Sequence, residues 1–338
     1  MSLSRKFMKK SLLALVRIAQ AAIISGAFLG TATHAQTVNG WPSKPVKLVV
    51  PSGAGGQTDL FARFVAESLA KVYGQPFVVD NKPGASGTIG AMAVAKAVPD
   101  GYLLLFTASS FTIVPAALNP QLPYDVLKDL APITQVGVGG LFLAVSPDMP
   151  IKSVKDMFDL ARANPGKYSY GTTGAGSTAH LIMLSQLAKQ GLSMTHIPYK
   201  SSAEVLRDLT GGVLQIGWID TSSSLGMVQS GKVRPVAIGS TLRMPLSPDV
   251  PTFIKAGYSA TPDGWLGFFA PAGTPEAIVR SLNAEVNKLM RSEEGNKRLT
   301  AMNVANPPPL TPEQFIQRIR VDSQAWRKIV VDNNIKPE

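Results

Sequence analysis

"LVVPSGAGGQTDLFARFVAESLA", residues Leu48 to Ala70, decides the fold. Its first residues read as the end of a buried strand and its glycines as a turn. The rest reads as an amphipathic helix, because Phe61, Phe64, Val65 and Leu69 fall on one face. A strand that passes through glycines into a helix is the repeating step of an α/β fold. The same alternation extends over the chain, through "VKLVV", "FVVD", "YLLLFTA", "LFLAV", "YSYGTT", "THIPY", "LQIGWID", "VRPVAIGS" and "WLGFFAP". These short runs, separated by helical patterns, predict an α/β class with mostly parallel strands flanked by helices. Ile278, Leu282, Val286 and Leu289 mark another helix face, with Thr274 expected as N-cap before Pro275. Thr311 and Gln314 are spaced as a capping box.

Such a turn has a chemical consequence. The first N–H groups of a helix have no intrahelical acceptor, and here they open at the carboxyl end of a strand, where anions bind. In the first turn, Ser52, Gly53, Ala54, Gly55, Gly56, Gln57, Thr58 and Asp59 are the candidate ligand residues. A twin lies in "YSYGTTGAGSTAHLIML", where Thr172, Thr173, Gly174, Ala175, Gly176, Ser177, Thr178 and His180 lead into a helix near Ser177. Two such termini facing one cleft can hold an anion without arginine or lysine. Hydrogen bonds to a charged group contribute about 1.5 to 3 kcal/mol each, and micromolar binding needs about 8 kcal/mol. Three or four neutral donors suffice.

Four further residues complete the candidate set. Ser109 and Ser110 follow "LLLFTA" at the same strand edge, and Tyr199 offers an aromatic wall beside Lys200. Asp220 ends a strand and either recognises a polar group of a ligand or caps the helix at "TSSSLGM". Asp59 stands in the first helical turn, where a brace and a ligand contact are both open readings. Trp218 and Trp265 are core or cleft residues, and periodicity does not separate the two.

Other chemistries lack parts. "GAGSTA" at Gly174 to Ala179 fits GxGxxA, but the next strand ends in Tyr199–Lys200 without the acidic residue that a ribose needs. The first turn has no GKS or GKT and is no P-loop. There is no HExxH, no GxSxG and no cysteine, so metal, thiol and nucleophile readings find no constellation, and no cofactor is expected.

The beginning of the chain, "MSLSRKFMKKSLLALVRIAQAAIISGAFLGTATHAQ", has a basic start, an apolar stretch and small residues ending at Ala35. It is expected to be a cleaved export signal, residues 1–35, placing the protein in the periplasm. Arg17 leaves an apolar run shorter than the roughly 20 residues a membrane span needs. The formal charge of +11 includes the leader's Arg5, Lys6, Lys9, Lys10 and Arg17; without them it is about +6, scattered along helices. No nucleic-acid partner is expected.

The seams are "VGVGG" at Val136 to Gly140 and the Pro/Gly/Ser-rich stretch from Met244 to Trp265. Two seams imply one lobe inserted in another. The expected division is residues 36–136 with 260–338 for lobe 1, and 137–259 for lobe 2.

With these pieces in order, the chain resembles the Bug family, the periplasmic solute-binding proteins of tripartite tricarboxylate transporters. "WPSKPVKLVVPSGAGGQTD", "VVDNKPGASGTIGA", "VAKAVPDGYLLLFT" and "LPYDVLKDLAPITQV" carry the likeness in the first part. "YGTTGAGSTAHL", "HIPYKSSAEVLRDLTGG", "PLSPDVPTFIKAGY" and "FFAPAGTPEAIVRSLNAEVNKLM" carry it in the rest. The resemblance implies a two-lobed Venus flytrap, monomeric and not an enzyme, that closes on a small carboxylate and delivers it to inner-membrane permease subunits. It also implies that Ser52–Asp59 and Thr172–His180 grip the ligand carboxylate. Gly53–Ala54, in a region where relatives often have proline, and Ile219–Asp220, where they often have Asp–Asn, depart from the pattern, so the solute is not inherited. A sensor accessory of the same fold and an exported α/β enzyme are the alternatives.

Overall fold

The computed structural model describes residues 40–260 and 262–335, so the expected leader lies outside the described residues. The strands are β1 (Val46–Val50), β2 (Phe77–Asn81), β3 (Leu103–Ala108), β4 (Leu130–Gly139), β5 (Leu141–Val145), β6 (Ser169–Thr172), β7 (Thr195–Pro198), β8 (Ile216–Asp220), β9 (Arg234–Ile238) and β10 (Gly264–Pro271). The helices are α1 (Gln57–Tyr73), α2 (Thr88–Ala95), α3 (Ile113–Leu118), α4 (Val154–Ala163), α5 (Thr178–Lys189), α6 (Ser202–Thr210), α7 (Leu225–Gln229), α8 (Glu276–Arg291), α9 (Glu293–Ala301) and α10 (Pro312–Asp332).

Two five-stranded sheets result, ordered β2-β1-β3-β10-β4 and β7-β6-β8-β5-β9. In the first, β1 is parallel to β2 and β3, while β10 is antiparallel to β3 and β4. In the second, β6 is parallel to β7 and β8, while β5 is antiparallel to β8 and β9. Four strands of each sheet therefore share a direction, as the sequence leads one to expect. The sheets are nonetheless mixed, because the reversed strand sits inside each sheet. Its direction follows from where it enters. Leu141 starts β5 opposite Asp220, the end of β8, and Gly264 starts β10 opposite Gly139, the end of β4. A strand entering at the carboxyl ends of its neighbours must run back against them.

The same topology occurs twice, although the sequence shows no repeat. The chain passes from β4 to β5 through Gly140 alone. A Cβ there would stand 2.9 Å from the Ile238 side chain, so the passage admits no larger residue without displacing its neighbour. Pattern reading misses β4, whose "LAPITQVGVG" mixes proline and glycines without alternation. An edge position tolerates Pro132, and two register shifts against β10 absorb the irregularity.

Helix ends follow local chemistry. Thr311 accepts from the Gln314 N–H and the Gln314 side chain returns to the Thr311 N–H, completing the expected capping box. The other expected cap moves by one residue. Pro275 is the N-cap of α8, its carbonyl accepting from Ile278 and Val279, while the Thr274 hydroxyl donates back to the Pro271 carbonyl at 2.8 Å. Trp218 is core, stacked on Phe253 with centroids 5.9 Å apart. Trp265, edge-on to Phe315, is also buried but forms part of a cavity wall.

Near the second passage, before β10, lies a buried polar knot. The Asp263 carboxylate accepts from the Ser240 hydroxyl at 2.9 Å, from the Thr241 N–H and hydroxyl, and from Arg318. Arg318 also reaches Asp322, which accepts from the Trp265 indole at 3.0 Å. Burial pushes the Asp322 carboxyl up, and the bonds from Arg318 and Trp265 only partly oppose it. The knot ties the exit of β9 to α10 and fixes the ring of Trp265.

Candidate functional site

A cavity of about 690 Å³ lies where the strand ends of the two sheets meet. The first sheet's side contributes Gln57, the turn at Ala85 and Ser86, Ser109 and Ser110 after β3, and the segment from Phe111 to Pro123. The second contributes Thr173, Ala175, Gly176, Ser177 and Thr178, with Gly139, Gly140, Gly239, Gly264 and Trp265 at the two passages. No lining residue is ionisable among the described residues.

The two glycine turns share one backbone device. Gly55 has φ +82° and is followed by Gly56 as an extended N-cap; Gly176 has φ +69° and is followed by Ser177 in the same role. In each, the left-handed glycine donates its N–H to the side chain four residues on. Gly55 donates to Asp59 at 2.9 Å, and Gly176 donates to His180 Nδ1 at 2.9 Å. Both N–H groups are thus spent on bracing the turn.

The braces differ in surroundings. Asp59 is 1% exposed and also accepts from Arg63 and from Asn81 at 2.9 Å. Burial pushes its carboxyl up, but the bonds from Arg63, Gly55 and Asn81 outweigh that and hold it below the usual carboxylate range. His180 stacks on His196 with centroids 3.9 Å apart and rings 12° from parallel. Burial, reinforced by His180, pushes the His196 imidazole down to about 4, so it is neutral at pH 7. His196 Nε2 lies 2.7 Å from the buried Thr172 hydroxyl, which also meets Ser177 at 3.3 Å. The second turn therefore rests on hydroxyls and a stacked pair of imidazoles.

The candidates from the sequence divide accordingly. Gln57, Ser109, Ser110, Thr173, Ala175, Gly176, Ser177 and Thr178 line the cavity. Ser52, Gly53, Ala54, Gly55, Gly56 and Thr58 lie in or behind the first turn, outside the wall, and Gly53 to Gly56 face solvent. Thr172, Gly174, Asp59 and His180 build the turns from beneath, with Gly174 accepting from Thr172 at 3.0 Å. Tyr199 is away from the cavity, its hydroxyl donating to Asp208 at 3.0 Å, and Lys200 is exposed. Asp220 accepts from the N–H groups of Ser222 and Ser223 and so braces the turn before α7, whose N-cap is Ser224 instead. Gln57 donates its side-chain amide to Ser222, linking the two sheets' loops across the cleft.

Reading the sequence missed Ala85, Ser86 and Thr88, and the apolar segment from Phe111 to Pro123. Ala85 and Ser86 have φ of +46° and +51°, left-handed values that cost of order 1 to 3 kcal/mol each in a residue with a side chain. Gly87 beside them could carry no Cβ, which would fall 2.6 Å from that of Phe111. The signal was present in "NKPGASGT", a third glycine turn after a strand.

Buried hydroxyls of Ser52 and Thr178, one in each turn, have no hydrogen-bond partner among the described residues. Hydroxyls left in that state await a polar guest or water.

Comparison with known proteins places this geometry in a family. The sequence model of the tripartite tricarboxylate transporter family receptor matches residues 61–335. Protein BugT of Bordetella pertussis is 35% identical over 319 residues, covering 93% of this chain and 97% of BugT. A structure described as a periplasmic transporter superposes with a TM-score of 0.75 at 36% identity, covering 88% of this chain and 99% of that one. An R. palustris protein solved with adipate gives 0.76 at 32%, covering 88% and 100%. MatC from Rhodopseudomonas palustris, solved with malate, gives 0.72 at 29%, covering 86% and 100%. The chain belongs to the tripartite tricarboxylate transporter receptor family, and is a solute-binding protein of two-lobed α/β fold rather than an enzyme.

Proposed function

We propose that this protein works in the periplasm as a monomer, captures a small organic carboxylate between its lobes, and hands it to inner-membrane permease subunits. The lobes follow the two sheets, with one passage at Gly140 and the other between Gly239 and Asp263. The carboxylate sits at the second turn, at Ser177 and Thr178, facing Gln57 and the serines at 109 and 110. Of the first turn, Gln57 meets it from the other lobe. The observation carrying this reading is a cavity without ionisable walls that meets a helix N-terminus and the unpartnered buried hydroxyl of Thr178. Helix N–H groups and neutral donors attract an anion without a counter-charge. The adipate- and malate-bound relatives lend the same direction.

The test is calorimetric. Protein unfolded to strip retained ligand, refolded and titrated with a carboxylate panel is expected to bind at least one member at micromolar affinity or better. Binding confined to neutral sugars or to cations would overturn the assignment.

A further inference from the structure

The cavity is chemically one-sided, and that narrows the solute. Its polar lining comes from the second turn, Gln57, Ser86, Thr88, Ser109 and Ser110, whereas one continuous segment supplies Phe111, Val114, Pro115, Leu118, Leu122 and Pro123. Asn119, the polar member of that segment, is exposed, and its side-chain oxygen already accepts from the Gln121 N–H at 2.9 Å. The segment reaches the polar side directly. A Cβ on Gly176 would stand 3.1 Å from Leu118 Cδ1, so Leu118 closes over the second turn. Of the first turn, Gln57 alone reaches the cavity.

We propose that the solute carries one carboxylate on an apolar body, ring or chain, with the body seated on the Phe111–Pro123 segment. This rests on the carboxylate reading above and deepens it. One carboxylate is satisfied by the donors of the second turn and the serines. A second carboxylate on the same molecule would be driven mostly against carbon, with no cation facing it among the described residues and the exposed Asn119 amide as the segment's one side-chain donor, and would lose most of its hydration without replacement. An apolar body in that position instead leaves water for a matching surface. The cavity volume, within the usual range for drug-sized ligands, accommodates a body larger than that of malate.

The test uses stripped and refolded protein and matched probes in calorimetry. Hexanoate and adipate share a six-carbon chain and differ in the second carboxylate; benzoate and benzamide share a ring and differ in charge; malate is short and polar. The expected result is that hexanoate or benzoate binds at least tenfold tighter than adipate and malate, with the better of the two identifying chain or ring. Adipate or malate binding as well as both monocarboxylates overturns the proposal and leaves the carboxylate reading intact. Benzamide matching benzoate overturns the carboxylate reading itself, and no binding by any probe overturns both. Leu118→Gln is expected to weaken the preferred monocarboxylate about tenfold while changing acetate by less than twofold. An unchanged affinity, or an equal loss for acetate, removes the segment as the seat of the body.

Discussion

The two glycine turns are built on one plan and differ in what braces them. Each places a left-handed glycine before an extended N-cap and ties that glycine's N–H to the side chain four residues on. In the first turn the tie is a carboxylate paired with Arg63 and hydrogen-bonded by Asn81; in the second it is an imidazole stacked on another. The first N-cap, Gly56, has no side chain to cap with, while Ser177 accepts from the His180 N–H at 3.3 Å. The first turn is therefore anchored by buried charge and stays open to solvent. The second is anchored by hydroxyls and stacked imidazoles and reaches the cavity. The lesson is that one backbone motif stays at the surface or lines the cavity, according to what stands around it.

The comparison breaks most visibly at the braces. Asp59→Ala removes the acceptor of the Gly55 N–H, Asn81 and the half-exposed Arg63 at once, and is expected to destabilise the protein by about 2 kcal/mol through the lost hydrogen bonds to one carboxylate. His180→Ala removes a neutral acceptor from Gly176 and is expected to cost about 1 kcal/mol. Urea denaturation of both variants checks the ratio, and equal losses would show that charge is not what distinguishes the braces.

Next comes the charge at the N-caps. Ser177→Asp keeps a good capping side chain at φ −63°, so the fold is expected to persist while carboxylate affinity falls about a hundredfold. That corresponds to about 2.8 kcal/mol. Gly56→Asp puts the same charge on the solvent-facing turn and is expected to weaken binding about tenfold, while gaining a cap for α1. Calorimetry with the preferred ligand orders the two, and the reverse order would make the first turn the primary site.

The smallest effect concerns pH. His196 is held neutral in the folded protein down to about 4, whereas an unfolded histidine titrates near 6.5. Between these values the unfolded state binds more protons, so stability is lost as pH falls from about 6.5 toward 4. The ring is partly solvated, which limits the loss to about 1 to 2 kcal/mol. Across that window the melting temperature should fall more steeply with falling pH in wild type than in His196→Gln; equal slopes would assign the pH dependence to other groups.

How far these features were legible depends on locality. Strand runs, helix faces, both glycine turns and the Thr311 capping box are written within a few consecutive residues, and each appears as expected. β4 was illegible because an edge strand with a proline and bulges carries no alternation. Asp59 and Asp220 were left open between ligand and brace, and their partners, Asn81 for one and Ser222 and Ser223 for the other, favour bracing.

By itself, then, the sequence determined the α/β class, the twin turns and their supply of unpaired N–H groups, because these arise from short-range backbone geometry. Only the tertiary structure decided which donors face the cavity and that the Phe111–Pro123 segment forms its apolar wall. It also decided that Tyr199 stands aside. Those outcomes depend on how strand ends distant in sequence are juxtaposed, and no local pattern encodes that register.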